Sequence, residues 1–289
     1  MTATELLAHI NSRHGTTYSL GGKCAGGTRG AYEVVDAQSN PAIFKFGPDS
    51  RWLARLHQAE HVAARLRRVG YPTPRNLAVG VGPDGHWYQL QQFVVGVPIP
   101  GPLSPEHVQL LLALNDLQAA HHPPPGAGWA DWSRHARDVV FADASGWASA
   151  LHACSPQTRN LLHALQARAR PFVATPLPTD DVVHGDFLPE NVLVRDGRVA
   201  AVIDTAALGY GPRVLDLARV FMWWYADMDH AARRLLRERI AAIATPAERA
   251  ICLACQIIDV LAFVIEYHPG DVGAMVERGH AVLAAFRED

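Results

Sequence analysis

The chain has 289 residues, 49% of them hydrophobic, which is enough for a large core and, on length alone, for about two domains. Its 26 basic and 28 acidic side chains leave a net charge of -2, which argues against a nucleic-acid-binding surface as its main business. The four cysteines, Cys24, Cys154, Cys252 and Cys255, are too few for a disulfide framework in a chain of this size and read as reduced thiols.

The opening stretch, MTATELLAHINSRHGTTYSL, lacks the charged start and apolar centre of a secretory signal. No stretch approaches the roughly 18 consecutive apolar residues of a membrane span, so a soluble, cytoplasmic protein is expected. Up to about Leu20 the spacing predicts a short amphipathic helix with Leu6, Leu7 and Ile10 on one face. LGGKCAGGTRGAYEVVD is glycine-dense and then strand-like from Ala31 to Asp36. AIFKFG places Lys45 in a strand between Phe44 and Phe46. Only Lys23 and Lys45 are lysines in a chain that otherwise uses arginine, so Lys45 marks a position where a compact ammonium on a flexible stem is needed.

RWLARLHQAEHVAARLRRVG repeats Leu53, Leu56, Ala59, Ala63 and Leu66 at helical spacing, carries Glu60 mid-helix, and stops at Gly70 and Pro72-Thr73-Pro74. Trp87 to Phe93 reads as a strand running out to Gly96, after which Pro and Gly mark a boundary between residues 1–96 and 97–289. Ser104 as N-cap and Pro105 at the first helical position open a leucine-faced core helix that ends at His121-His122 and three prolines. Trp129, Trp132 and Trp147 lie in a segment with helical stretches up to about Arg170. Near the end come a helix with Phe221, Trp223, Trp224 and Tyr225, then Asp227 and Asp229, and a last helical pair with Asp259, Glu266 and Tyr267. Cys252 and Cys255 stand in ICLACQIIDVLAF, an apolar helical run with no second metal-binding pair, and are read as core.

The stretch that organises the rest is VVHGDFLPENVLV, Val182 to Val194. A buried strand leads into His184-Gly185-Asp186, and four residues later Asn191 precedes a second strand. Asp196-Gly197 signals a hairpin, and the returning strand, Val199 to Ile203, ends at Asp204. Asp186, Asn191 and Asp204 therefore project from the ends of short strands. That set suits phosphoryl transfer: one carboxylate accepts a hydroxyl proton, while an amide oxygen and a second carboxylate hold magnesium against nucleotide phosphates.

His184, Gly185, Asp186 and Asn191 match His-Gly-Asp-x-x-x-x-Asn; Ile203-Asp204, Gly211-Pro212 and Asp216-Leu217-Ala218 match a second signature. On these motifs the chain resembles the aminoglycoside phosphotransferase and choline kinase-like group of small-molecule kinases. It departs from the pattern at Thr205, commonly an aromatic, at Gly211, commonly an Asp, and at Asn115-Asp116, commonly Leu-His. The resemblance implies an α+β, protein-kinase-like two-lobe fold: an N-terminal antiparallel sheet plus helix, then a mainly helical lobe. It also implies ATP or GTP with magnesium as cofactors. In that pattern Asp186 is the catalytic base, and Asn191 and Asp204 are the metal ligands. Lys45 grips the phosphates and is held by Glu60; Gly26, Gly27 and Thr28 cover the phosphates; Gln92 and Val94 meet the purine edge. Asp216 braces the catalytic loop or touches substrate, and Trp224, Tyr225, Asp227, Glu266 and Tyr267 are candidates for the acceptor pocket.

Charge fits two lobes with different tasks. Up to Gly96 there are 10 basic and 6 acidic residues, leaving 16 and 22 for the rest. The expected function is nucleotide-dependent O-phosphorylation of a small molecule, an aminoglycoside, macrolide or nucleoside antibiotic, with resistance as the outcome. A metabolite kinase for choline, homoserine or a sugar is a second reading, and a non-catalytic nucleotide-binding scaffold a third. A protein kinase fits poorly, because so few residues separate Asp204 from Asp216. No nucleic acid or membrane partner is expected, and the sequence leaves the oligomeric state open.

Overall fold

The structure is a computed structural model that describes residues 2–24, 30–49, 51–125 and 128–286. The chain groups into two compact units, one of residues 1–97 and 193–207, the other of residues 98–192 and 208–289.

The first unit starts with α1 (Ala3–His14), whose Thr2 N-cap and Glu5 form a capping box. Leu6, Leu7 and Ile10 are buried, as their spacing predicts. They pack on a sheet of β1 (Ser19–Lys23), β2 (Tyr32–Val35), β3 (Pro41–Gly47), β4 (Asn76–Val81) and β5 (Trp87–Gln92), antiparallel in the order β1-β2-β3-β5-β4. Strand alternation decides what each face does. Phe44, Tyr88 and Leu90 turn into the core shared with α1, while Lys45 and its cross-strand partner Gln89 take the other face. Between β3 and β4 lies α2 (Arg51–Arg68), with Leu56, Ala59, Val62, Ala63 and Leu66 buried.

After β6 (Val97–Pro98), at the division between the units, the second unit is largely helical. It contains α3 (Pro105–Asp116), β7 (Ala130–Asp131), α4 (Trp132–Arg137), α5 (Trp147–Cys154), α6 (Pro156–Ala169) and β8 (Asp181–Val183). Ser104 caps α3 and Pro105 opens it, as expected. The chain then re-enters the first unit as the hairpin β9 (Val192–Arg195) and β10 (Arg198–Val202). Its turn residues, Asp196 at φ 53° and Gly197 at φ 72°, both adopt the left-handed conformation that a two-residue hairpin turn requires. Two hydrogen bonds explain why residues 193–207 group with the first unit rather than with their sequence neighbours. The Val202 N–H donates to the Pro72 carbonyl at 2.6 Å, and Arg55 Nε to the Ala206 carbonyl at 3.2 Å.

Back in the second unit, β11 (Gly209–Gly211) pairs parallel to β7 and antiparallel to β8. Then follow α7 (Val214–Trp224), α8 (His230–Ile243), α9 (Pro246–Tyr267) and α10 (Val272–Ala284), three helices after α7 where the sequence suggests a pair. α9 is the centre of this unit and packs against α5, α6, α7 and α10. By length and mean hydropathy α9 could cross a membrane, although polar residues interrupt its apolar run; most of its apolar window is buried inside the protein, as befits a core helix. Cys252 and Cys255 are fully buried on it, and burial pushes both thiols well up.

Phe44 joins α1 to the sheet and stacks on Phe46 at 5.1 Å. Phe44→Ala is expected to cost about 3–5 kcal/mol, seen as a lower denaturant midpoint. Val95→Ala, at an exposed position, should leave the midpoint unchanged.

Candidate active site

The loop after β8 is held from behind by one buried carboxylate. Asp216, in the first turn of α7, is 1% exposed. Its Oδ2 accepts from the His184 N–H at 2.7 Å and from Gln118 Nε2 at 2.8 Å, and its Oδ1 accepts from the Gly185 N–H at 3.0 Å. Burial raises the Asp216 carboxyl above its ordinary range, while the His184 and Gly185 N–H groups pull it back down. Both oxygens are engaged and the residue is buried, so Asp216 is presented to the loop backbone, the more favoured of its two expected placements, and not to solvent.

The departure at Asn115-Asp116 belongs to the same brace. Asn115 donates to Gln118 Oε1 at 2.8 Å and to the Arg213 carbonyl at 3.0 Å, which orients Gln118 toward Asp216. Arg213 in turn donates to Asp116 Oδ1 at 2.9 Å and pairs with Asp181, at the start of β8, at 3.5 Å. Gly185 has φ 81°, and a Cβ there would overlap the Trp132 ring. At Gly211 a Cβ would lie 2.8 Å from Trp132 Cβ, so the residue where relatives commonly carry Asp has no room for a side chain. Trp132, to which the sequence assigns no role, packs on both sides of this loop.

On the front of the loop Asp186 remains accessible, its side chain 36% exposed. Asn191 Nδ2 donates to the Asp186 carbonyl at 2.8 Å and to Asp186 Oδ2 at 3.1 Å, fixing the spacing that the motif encodes. Asp186 Oδ1 pairs with Arg219 at 3.0 Å, and Arg219 also pairs with Asp259 at 2.7 Å. The sequence reading misses Arg219, although it does carry a signal. An arginine within VLDLARVFMWW lies three positions after Asp216, on the same face of α7.

In the first unit Lys45 Nζ lies 3.5 Å from Asp204 Oδ1. Asp204 has φ 58°, a conformation that costs a non-glycine residue energy and that clusters at functional sites. The expected Lys45–Glu60 pair is not formed, which corrects that reading. Glu60 pairs with Arg67 on its own helix and accepts from Asn76 Nδ2 at 2.9 Å, while Gln89 donates to Asn76 Oδ1 at 2.7 Å. Glu60 is thus engaged by Asn76 and by Arg67, a guanidinium three residues before Gly70. β5 ends at Gln92 and Val94 follows in irregular backbone. Gly26, Gly27 and Thr28 lie outside the described residues.

The acceptor candidates have the following neighbours among the described residues. Trp224 packs on Gly101; Tyr225 stacks edge-on against Phe221 and lies under Arg233; Asp227 pairs with Arg278 at 3.6 Å. Glu266 and Tyr267 are exposed on α9. Among the described residues no group of three or more His, Cys, Asp or Glu side chains could hold a metal by itself. Asn191, in the second unit, and Asp204, in the first, each carry a side-chain oxygen, the donor type that magnesium takes.

The brace makes a direct prediction. In Asp216→Asn an amide would face the His184 and Gly185 N–H groups with one oxygen instead of two, so stability should fall by about 2–4 kcal/mol, measured by urea denaturation. An unchanged midpoint would show that the loop does not depend on this carboxylate.

With this geometry established, comparison with known proteins is informative. The profile of the phosphotransferase enzyme family (APH) matches residues 23–252. Hygromycin-B 4-O-kinase of Escherichia coli is 35% identical over 74 residues, 25% of this chain and 22% of that protein. The chain therefore aligns with under a quarter of that relative's length. The crystal structure of aminoglycoside phosphotransferase APH(4)-Ia superposes with a TM-score of 0.71 at 19% identity, covering 99% of both chains. A thermostable variant of that enzyme, in ternary complex with AMP-PNP and hygromycin B, gives 0.72 at 20% identity over 99% of this chain and 100% of the other. Macrolide 2'-phosphotransferase MphH from Brachybacterium faecium gives 0.59 at 15% identity over 98% of each. At these identities the superpositions speak to the fold: an antiparallel sheet with its helix followed by a mainly helical unit, as in kinase-like phosphotransferases.

Proposed function

Because the chain belongs to the phosphotransferase enzyme family, we propose that it transfers the γ-phosphoryl group of a nucleoside triphosphate to a hydroxyl of a small molecule, an antibiotic of aminoglycoside or macrolide type. The observation that carries this reading is the state of Asp186: an accessible carboxylate on a loop otherwise held by buried hydrogen bonds, with one partner on each oxygen. Each of its oxygens keeps a further acceptor site. An acceptor hydroxyl that donates to Asp186 is oriented by that bond, and its proton passes to the carboxylate as the oxygen attacks phosphorus. The nucleoside diphosphate leaves with the electron pair of the broken P–O bond.

Lys45 supports the reading from the nucleotide side. Its ammonium, now paired with Asp204, is the compact cation that phosphate oxygens require. Asn191 and Asp204 would hold magnesium, whose chemistry there is to neutralise charge on the transferring phosphoryl group. The antibiotic reading is supported by structural neighbours that include an enzyme in complex with hygromycin B and a macrolide phosphotransferase.

The test is incubation with ATP or GTP, magnesium and a panel of hygromycin B, other aminoglycosides, macrolides, nucleosides, choline, homoserine and sugars, followed by mass spectrometry. One added phosphoryl group on an antibiotic is expected; addition to a metabolite alone would overturn the antibiotic reading. Asp186→Ala should reduce transfer by about 10²–10⁴-fold and leave nucleotide binding intact, whereas unchanged turnover would remove Asp186 from the mechanism. Asp204→Ala should instead abolish the magnesium dependence of nucleotide binding, measured by calorimetry.

A further inference from the structure

We propose that Arg219 and Asp259 form a charge-balanced clamp that sets the position of the Asp186 carboxylate for transfer. The proposal rests on Asp186 being the group that receives the acceptor hydroxyl.

Arg219 lies on α7, its side chain 16% exposed. One end of its guanidinium meets Asp186 Oδ1 through Nη2 at 3.0 Å; the other meets Asp259 Oδ2 through Nη1 at 2.7 Å and Gln256 Oε1 at 3.3 Å. Gln256 is buried and Asp259 is 21% exposed, both on α9. Asp259 and Gln256 both meet Nη1, so Asp186 is what meets Nη2, while the buried Nε has no hydrogen-bond partner among the described residues. A buried guanidinium is costly unless its donors are met, and this one reaches forward to Asp186.

The position of Arg219 on α7 makes the clamp effective. It stands three residues after Asp216, so one face of one helix holds both the backbone of the loop, through Asp216, and the side chain of Asp186, through Arg219. The two residues before Asp186 are thereby fixed at their main chain and Asp186 at Oδ1, and Asn191 holds the Asp186 carbonyl and Oδ2. Charge matters as much as position. A lone guanidinium would neutralise Asp186 and compete with the incoming hydroxyl. Shared with Asp259, it leaves the trio with a net charge of about -1, and Asp186 retains its capacity to accept. Arg219 and Asp259 are therefore positioning residues that act through Asp186.

Removing Arg219 alone would leave Asp186 and Asp259 without their shared cation, so the informative variant is Arg219→Gln combined with Asp259→Asn, compared with Arg219→Lys and Asp186→Asn. The probes are hygromycin B, a macrolide and water, the last read as phosphate release from magnesium-ATP and magnesium-GTP. The double variant is expected to melt close to the parent and keep its nucleotide KM while kcat falls by about 10²-fold, the cost of a misplaced reacting group. Arg219→Lys should recover part of that loss, because an ammonium restores the charge without the two-ended fork. A crystal structure of the double variant should show the Asp186 carboxylate rotated from its place. An unchanged kcat in the double variant, or an Asp186 carboxylate that has not moved, would overturn the clamp. Turnover in Asp186→Asn equal to the parent would instead overturn the underlying assignment of Asp186, so the two failures are distinguishable.

Discussion

The loop that carries Asp186 depends on a carboxylate that is almost wholly buried. Burying Asp216 is costly, and the cost is offset because the main-chain N–H groups of His184 and Gly185 and the amide of Gln118 all donate to it. The reward is a loop whose backbone cannot drift. Behind it, Asn115 aims Gln118, and Arg213 ties α3 to the start of β8. Asn115 and Asp116, in an otherwise leucine-faced helix, are thus the outer layer of the brace, and hydrogen-bond satisfaction explains why the buried Asn115 is tolerated in the core.

That stiffness allows Asp186 to remain accessible without being disordered. Three partners arrive from three directions: Asn191 from five residues along the chain, Arg219 from α7, and the Asp216-held backbone from behind. Trp132 closes the remaining space by resting on Gly185 and Gly211, where side chains would collide with it. In the first unit a comparable polar seam runs from Gln89 through Asn76 to Glu60 and Arg67, joining the sheet to α2. Lys45 stands beside that seam rather than within it and pairs with Asp204. Among the described residues its ion-pair partner is this half-exposed carboxylate.

Some of this was legible in the residues alone. Strand alternation put Phe44 inside and Lys45 on the opposite face, Asp-Gly at 196–197 gave a two-residue turn, Ser104-Pro105 opened a helix, and the five-residue step from Asp186 to Asn191 encoded the hydrogen bond between them. These are local rules, fixed by backbone geometry over a few residues, and the sequence by itself determines them. The partner of Glu60, the arginine on Asp186 and the tryptophan that forbids a side chain at Gly211 were decided only by the tertiary structure. Gln118 meets Asp216 across 98 positions and Arg219 meets Asp259 across 40. No periodicity or turn preference carries information over such spans; which charges pair there follows from how the helices pack.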